Sequence, residues 1–234
     1  MNFNDFFNEL KSQFEIVKYL SDKPNSKVLL LKHKKLGKKM IFRKYRNSQE
    51  AYIFLKSISF INFPKIYDTR ELDDCFIVFE EYIDGITVAE VLESGLYTYI
   101  GAKKVISSVC DALKILHNNG FIHRDIKPQN IIISNDGTVK LIDFNISRKY
   151  KSEANNDTAT LGTIGYASPE QIGISQTSAA TDIYAIGVLL NVMLTGKHPS
   201  EYLCKGKARK IILRCTQISP EKRFENVEKL KNML

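Results

Sequence analysis

Apolar and polar positions alternate along residues 14–20, 27–31 and 39–45, with polar turns at 21–26 and around Leu36-Gly37 between them. A period of two, broken by turns at this spacing, predicts antiparallel strands joined as hairpins. A short helix is expected next, with Ser48 as its N-cap and Ile53, Phe54 and Ile58 as its apolar positions. Two further apolar strands are expected near residues 65–67 and 76–79. After Gly85 the period changes. Residues 99–117 place Ile106, Val109, Leu113 and Leu116 on one helical stripe, and Asn118-Asn119-Gly120 stops it. Residues 131–133 and 139–142 read as a hairpin across Asn135-Asp136-Gly137. From Ser168 onward the pattern is mostly helical, with turns at Thr195-Gly196 and Ser219-Pro220. A small β-rich part is therefore expected to precede a larger helical part, the two joined near residues 81–85.

Composition narrows the class without choosing a function. The 234 residues are 44% hydrophobic and 26% charged, the range of a globular protein with a sizeable core. Four cysteines (Cys75, Cys110, Cys204, Cys215) lie far apart with no C-x-x-C pair, so buried, idle thiols are expected rather than a zinc site or a disulfide framework. The longest apolar stretch, residues 183–194, contains Asn191 and is too short to span a bilayer of ~30 Å. No basic start followed by an apolar run, and no lipid anchor, is visible, so a cytoplasmic protein is expected.

The net charge of +8 is local. Between Asp22 and Glu50 stand ten basic residues and no acid: Lys23, Lys27, Lys32, Lys34, Lys35, Lys38, Lys39, Arg43, Lys44 and Arg46. Residues 68–93, by contrast, hold nine acids and one arginine. A basic run alone does not make a nucleic-acid surface, which needs a suitable fold or aromatic platform beside it. Neither nucleic acid nor membrane is expected as a partner.

The chemistry concentrates in three ordered motifs. His123-Arg124-Asp125-Ile126-Lys127-Pro128-Gln129-Asn130 is followed thirteen residues after Asn130 by Asp143-Phe144-Asn145, and then by Gly162-Thr163-Ile164-Gly165-Tyr166-Ala167-Ser168-Pro169-Glu170. In order, spacing and residue type they resemble the eukaryotic-type (Hanks-type) serine/threonine protein kinases over nearly the whole chain.

That resemblance implies an α+β, bilobal fold spanning residues 1–234, with an N-lobe of about residues 14–82 and a C-lobe of 83–234. It implies ATP and Mg²⁺ as cofactors and a protein with a Ser or Thr acceptor as substrate. Asp125 would accept or orient the proton of the attacking hydroxyl, Lys127 would reach the transferring phosphate, and Asn130 and Asp143 would supply hard oxygen ligands to the metal. Lys127 with Pro128 resembles the Ser/Thr-directed form. Thr163 would contact Asp125 and Lys127, Glu170 would pair with Arg223, and Asp182 would hold the catalytic backbone from a buried helix. His117 and His123 are expected as core histidines. A phosphate on Thr158 or Thr160 would pair with Arg124 and Arg148.

Three departures concern the nucleotide. The glycine-rich loop expected between Leu20 and Val28 has no glycine, and its matching positions are Ser21, Lys23 and Ser26, with Lys23 or Lys27 as substitute charges. The phosphate-binding lysine of the third strand is replaced by Arg43, the choice that leaves Ile41 rather than Phe42 against the adenine. Its partner would be Glu50. The third motif residue, usually glycine, is Asn145. Glu80 stands just before the hinge-like segment 81–83, where a buried carboxylate needs a partner such as Arg43 or Lys44. The backbone of Glu81 and Ile83 would hold the adenine edge, and Val28, Ile41 and Ile132 would form its apolar walls. These departures leave a pseudokinase scaffold as the alternative to an active enzyme. A small-molecule phosphotransferase fits less well, because Pro128 and Pro169-Glu170 resemble protein-directed kinases.

Overall fold

A computed structural model of the chain describes residues 2–149, 163, 165–173 and 176–234. The chain divides into two compact units, Met1–Asp84 and Gly85–Leu234.

The first unit is built on a five-stranded antiparallel sheet in the order β1-β2-β3-β5-β4. Its strands are β1 (Phe14–Lys23), β2 (Ser26–His33), β3 (Lys39–Tyr45), β4 (Ile66–Leu72) and β5 (Cys75–Glu81). Because side chains alternate, the sheet has two distinct faces. One carries Leu29, Leu31, Phe42, Ile77 and Phe79, and helix α1 (Phe3–Gln13) covers it with Phe6 and Leu10. Asn2 starts that helix by accepting the Asp5 N–H at 3.0 Å. The strand pattern left α1 out, although Phe3, Phe6, Phe7 and Leu10 already had helical spacing. Burying Phe6 and Leu10 contributes about 1.5–3 kcal/mol each. The opposite face carries a smaller cluster of Val28, Leu30 and Ile41, against which Tyr82 packs.

Two local expectations are corrected here. The turn expected over residues 21–26 is only Pro24-Asn25, because the β1–β2 ladder continues to Lys23↔Ser26. Neither turn residue has a positive φ, so the turn forms without glycine. Helix α2 (Glu50–Lys56) is capped at Gln49 rather than Ser48, with no side-chain cap bond. It buries Ala51, Tyr52 and Leu55, while Ile53 is 48% exposed. Phe54 is half-buried, and the helix ends at Lys56, so the expected Ile58 lies beyond it.

The second unit opens with β6 (Gly85–Thr87), α3 (Val88–Ser94) and α4 (Tyr99–Asn118). The expected α4 stripe is buried, with Ile106, Val109, Leu113 and Leu116 all nearly inaccessible. Short strands β7 (Phe121–Ile122), β8 (Ile131–Ser134), β9 (Val139–Leu141) and β10 (Arg148–Lys149) follow. They form a three-stranded sheet, β6-β8-β9, and a two-stranded one, β10-β7. Gly85 is obligatory at the first, since a Cβ there would stand 2.3 Å from the Ile133 carbonyl oxygen. The rest is helical: α5 (Pro169–Ile172), α6 (Ala179–Thr195), α7 (Lys207–Cys215) and α8 (Val227–Lys231). Helix α6 is the core helix its apolar run predicts, buried from Thr181 to Asp182 to Met193 on most sides. Gly187 lets α7 approach it, because a Cβ would meet that of Cys215 at 2.4 Å.

All four cysteines are free and buried. Burial, reinforced by the Asp111 charge, pushes the Cys110 thiol up to about 12, so it stays protonated and inert near neutrality. Among the described residues, no helix is long and apolar enough to cross a membrane.

Candidate active site

In the second unit, the segment between β7 and β8 carries the acidic residue at the centre of the first motif. Asp125 is 8% exposed, and its carboxylate is held by three donors. The Thr163 hydroxyl donates to Oδ1 at 2.7 Å, and the Asn130 amide donates to Oδ2 at 2.9 Å. The Lys127 ammonium lies 2.7 Å from the same Oδ2 and also donates to the Thr163 hydroxyl at 2.7 Å. Asn130 sends a further bond, 2.9 Å, to the Asp125 carbonyl. Its Nδ2 is thereby committed, which orients the amide and leaves Oδ1 without a hydrogen bond among the described residues.

Asp143 is brought alongside by the β8–β9 hairpin. Asn130 immediately precedes β8 and Ile142 immediately follows β9, and the Ile142 N–H donates to the Asn130 carbonyl at 2.9 Å. His123 ties the same two segments from beneath. Its Nδ1 accepts the Asp125 N–H at 3.3 Å, and Nε2 faces the Ile142 carbonyl at 3.2 Å, which requires that nitrogen to carry the proton. Burial holds the His123 imidazole below its ordinary range, against the opposing charges of Asp182, Asp125 and Asp143. A neutral ring is what this bridging geometry needs. Phe144 is fully buried edge-on to it, with ring centroids 5.1 Å apart.

The backbone here is strained at two residues that are not glycine, Arg124 (φ 73°) and Asp143 (φ 66°). Asp182 of α6 stabilises the first. Its Oδ1 accepts the Arg124 N–H at 2.8 Å, and its Oδ2 accepts the His123 N–H at 2.9 Å and lies 2.8 Å from His117 Nε2. Burial alone would raise the Asp182 carboxyl, but these donors and the nearby histidines more than offset it, and the carboxyl sits below its usual range. Asn145, by contrast, has no positive φ, so the residue standing where glycine is usual carries no left-handed strain.

Glu170 and Arg223 pair as expected. The guanidinium donates to both carboxylate oxygens at 2.7 and 2.9 Å and to the carbonyls of Gln217, Ala180 and Ile218. Gln171, which no spacing argument singled out, donates to the Arg124 carbonyl at 2.9 Å and supports the same loop. Thr158, Thr160 and the rest of residues 150–162 lie outside the described residues. Arg148 opens β10, half-buried.

The residues expected around the nucleotide in the first unit are placed as follows. Val28 and Ile41 share the small apolar cluster on one sheet face with Leu30, which stands directly opposite Ile41, while Val28 stands opposite Arg43. Glu81 ends β5, and its N–H is committed to the Lys65 carbonyl at 2.8 Å. Ile83 is 8% exposed, and its backbone N–H and C=O carry no hydrogen bond among the described residues. In the second unit, Ile132 on β8 is half-buried, opposite Thr87 and Lys140.

Arg43 is the one buried residue of the ten clustered cations. The expectation that Glu50 is its partner is not met. Glu50 is exposed at the first residue of α2 and makes no ion pair among the described residues, because only four residues separate β3 from that helix. Arg43 Nε instead donates to Glu80 Oε1 at 2.7 Å. The register Ile41↔Glu80 and Arg43↔Val78 makes the two diagonal neighbours on one face. Lys44 is on the other face, with its ammonium 3.7 Å from the Phe3 ring centroid.

The donor chemistry fits a nucleotide with a hard cation. Among the described residues, no group of three or more His, Cys, Asp or Glu side chains forms a dedicated metal cage. One amide oxygen and one carboxylate are what Mg²⁺ takes when phosphates and waters supply its other ligands.

Comparison with known proteins identifies the family. The family model for the protein kinase domain matches residues 14–233. The serine/threonine-protein kinase PknB of Mycobacterium tuberculosis is 40% identical over 151 residues, 59% of this chain and 24% of that protein. A probable serine/threonine-protein kinase of Clostridium perfringens is 33% identical over 174 residues, 74% of this chain and 25% of that protein. A probable PknB of Lactococcus lactis is 34% identical over 156 residues, 66% of this chain and 25% of that protein. The chain spans about a quarter of the length of these curated relatives. From the family match over nearly its whole length, the chain belongs to the protein kinase domain family.

Proposed function

We propose that the chain transfers the γ-phosphoryl group of ATP, with Mg²⁺, to serine or threonine hydroxyls of proteins. The observation that carries this reading is the Asp125 carboxylate held by Lys127, Asn130 and Thr163. An acceptor hydroxyl can make to Asp125 the same O–H···O bond that Thr163 makes at 2.7 Å. Asp125 thereby orients the nucleophile and takes its proton as the new P–O bond forms. Lys127, 2.7 Å from that carboxylate, offsets negative charge gathering on the transferring group. Asn130 and Asp143 would hold Mg²⁺, which supplies charge neutralisation at the phosphates when bound. Arg43 would serve as the cation facing the phosphates. The backbone of Glu81 and Ile83 would read the adenine edge, with Val28, Ile41 and Ile132 against its faces. Fixing these groups in advance is most of what phosphoryl transfer asks of a protein.

The second reading, a nucleotide-poor pseudokinase, draws on the β1–β2 hairpin, whose ladder closes at Lys23↔Ser26 with no glycine to admit phosphate close to its backbone. One comparison separates the two. Incubation with ATP, Mg²⁺ and a generic protein substrate is expected to give serine or threonine phosphate with the wild type and not with Asp125→Ala. Equal incorporation by both would refute the kinase reading. Mapping the sites would also test Thr158 and Thr160 as acceptors.

A further inference from the structure

We infer that Glu80 is the positioning residue for Arg43, so that the phosphate-facing cation is set by sheet register rather than by a carboxylate on helix α2. This rests on the kinase reading above and specifies how its nucleotide side is built.

Protein kinases use a third-strand cation paired with a helix-borne glutamate, and placing that helix controls the pair. Here the only acid on α2 is Glu50, exposed at the helix start and without an ion pair among the described residues. Arg43 and Glu80 have side chains only 7% and 3% exposed, with Nε and Oε1 2.7 Å apart. Both are on paired strands β3 and β5, so their separation follows from backbone register and not from the position of a separate element. A buried carboxylate facing a buried guanidinium holds it firmly, because separating them strands two charges away from water.

Helix α2 still touches this pair, by another chemistry. The hydroxyls of Tyr45 and Tyr52 are 3.1 Å apart, and Arg43 Nη1 reaches the Tyr45 hydroxyl at 3.5 Å. Tyr52 is on α2 and fully buried, with its ring 5.7 Å from that of Tyr45. A neutral hydroxyl relay thus stands where an ion pair is usual. Moving α2 would perturb the orientation of Arg43 without removing its counter-charge.

The test uses the whole chain and five variants: Glu80→Gln, Glu80→Asp, Glu50→Gln, Tyr52→Phe and the double Arg43→Leu/Glu80→Leu. Each is measured for KM for ATP, kcat, Mg²⁺-ATP-induced thermal shift and unfolding midpoint. Glu80→Gln is expected to raise KM for ATP about tenfold and to shrink the thermal shift, with a smaller fall in kcat. Glu50→Gln is expected within about twofold of wild type on every readout, and Tyr52→Phe between the two. Glu80→Asp, which keeps the charge, is expected to recover part of the loss. The double leucine variant replaces a buried pair by apolar volume and is expected to fold, yet to bind ATP as poorly as Glu80→Gln. Wild-type KM and thermal shift in that double variant would make the pair a core feature only and overturn the inference. So would a larger defect in Glu50→Gln than in Glu80→Gln. If the wild type transfers no more phosphate than Asp125→Ala but its Mg²⁺-ATP thermal shift is lost in Glu80→Gln and kept in Glu50→Gln, the kinase reading fails and the positioning inference stands. No Mg²⁺-ATP shift in the wild type overturns both.

Discussion

The Asp125 segment of the second unit, proposed as catalytic, and the sheet of the first unit, proposed to face the nucleotide, solve their electrostatic problems differently. Around Asp125 the carboxylate finds Lys127 and Asn130 within five residues of sequence and Thr163 from further along the chain, and the residue types follow the family motif. Lys127 and Asn130 come from the same short segment as Asp125, and Asp182 holds its backbone from α6. On the sheet, the cation proposed to face the phosphates is an arginine, and it pairs with Glu80 on the adjacent strand β5 rather than with a glutamate on helix α2. On the proposed roles, the difference teaches that groups acting on reacting atoms constrain residue type tightly. Groups that hold a cation in place constrain only charge and distance, and more than one scaffold supplies those.

The sharpest way to break this contrast is to remove its chemical centre. Asp125→Ala should lower phosphate transfer by about 10²–10⁴-fold, the usual size of a lost general base, while Mg²⁺-ATP still stabilises the variant in thermal unfolding. Next in size is the support beneath. Asp182→Ala leaves the His123 and Arg124 N–H groups without their acceptor at a fully buried site, and should cost about 3–5 kcal/mol. Calorimetry should show that as a fall in Tm on the order of 10 °C for a chain of this size.

The same frame carries a pH dependence. Burial works to raise the Glu170 carboxyl, but the Arg223 guanidinium and other donors overcome it and hold the carboxyl below its ordinary range. A group that binds protons less readily when folded contributes stability above its unfolded value, about 4.3, and that stability drains as pH falls through the lower folded value. Denaturant midpoints of wild type and Glu170→Gln should therefore converge between about pH 5 and 3 and stay apart at pH 7. On the sheet, Leu10→Ala tests whether α1 is an integral cover. A loss of about 2–4 kcal/mol is expected, with kcat unchanged in the molecules that remain folded. The smallest effect is expected from Asn145→Gly: activity within about twofold, and stability lowered by about 0.5–1 kcal/mol from added backbone freedom.

Much of this was legible in the sequence, for reasons that differ by region. The second-unit motif residues were readable because the motif fixes both type and spacing, and the placement of Asp182 and the Glu170–Arg223 pair followed from the same pattern. Strands β1, β2, β3, β5, β8 and β9 and the α4 stripe were readable from the apolar pattern, whereas the short β6, β7 and β10 were not. Helix α1 was missed because Phe3, Phe6, Phe7 and Leu10 precede the alternating strands and carry no motif. The Glu80 pairing could not be chosen between Arg43 and Lys44 from sequence, since the choice depends on the β3–β5 register. Once that register exists, alternation sends Arg43 to the Glu80 face and Lys44 toward Phe3. Asn145 stands where glycine is usual, yet the positive φ of that motif falls on Asp143, which no sequence pattern marks.

The division of labour between the two units is the central claim, and one paired measurement addresses it directly. Mg²⁺-ATP-induced thermal shift and phosphate transfer should be recorded together for wild type, Asp125→Ala and Arg43→Met. The account predicts that Asp125→Ala keeps the shift and loses transfer, while Arg43→Met loses most of the shift at the same ATP concentration. Transfer that survives in Asp125→Ala, or a full shift in Arg43→Met, would contradict it.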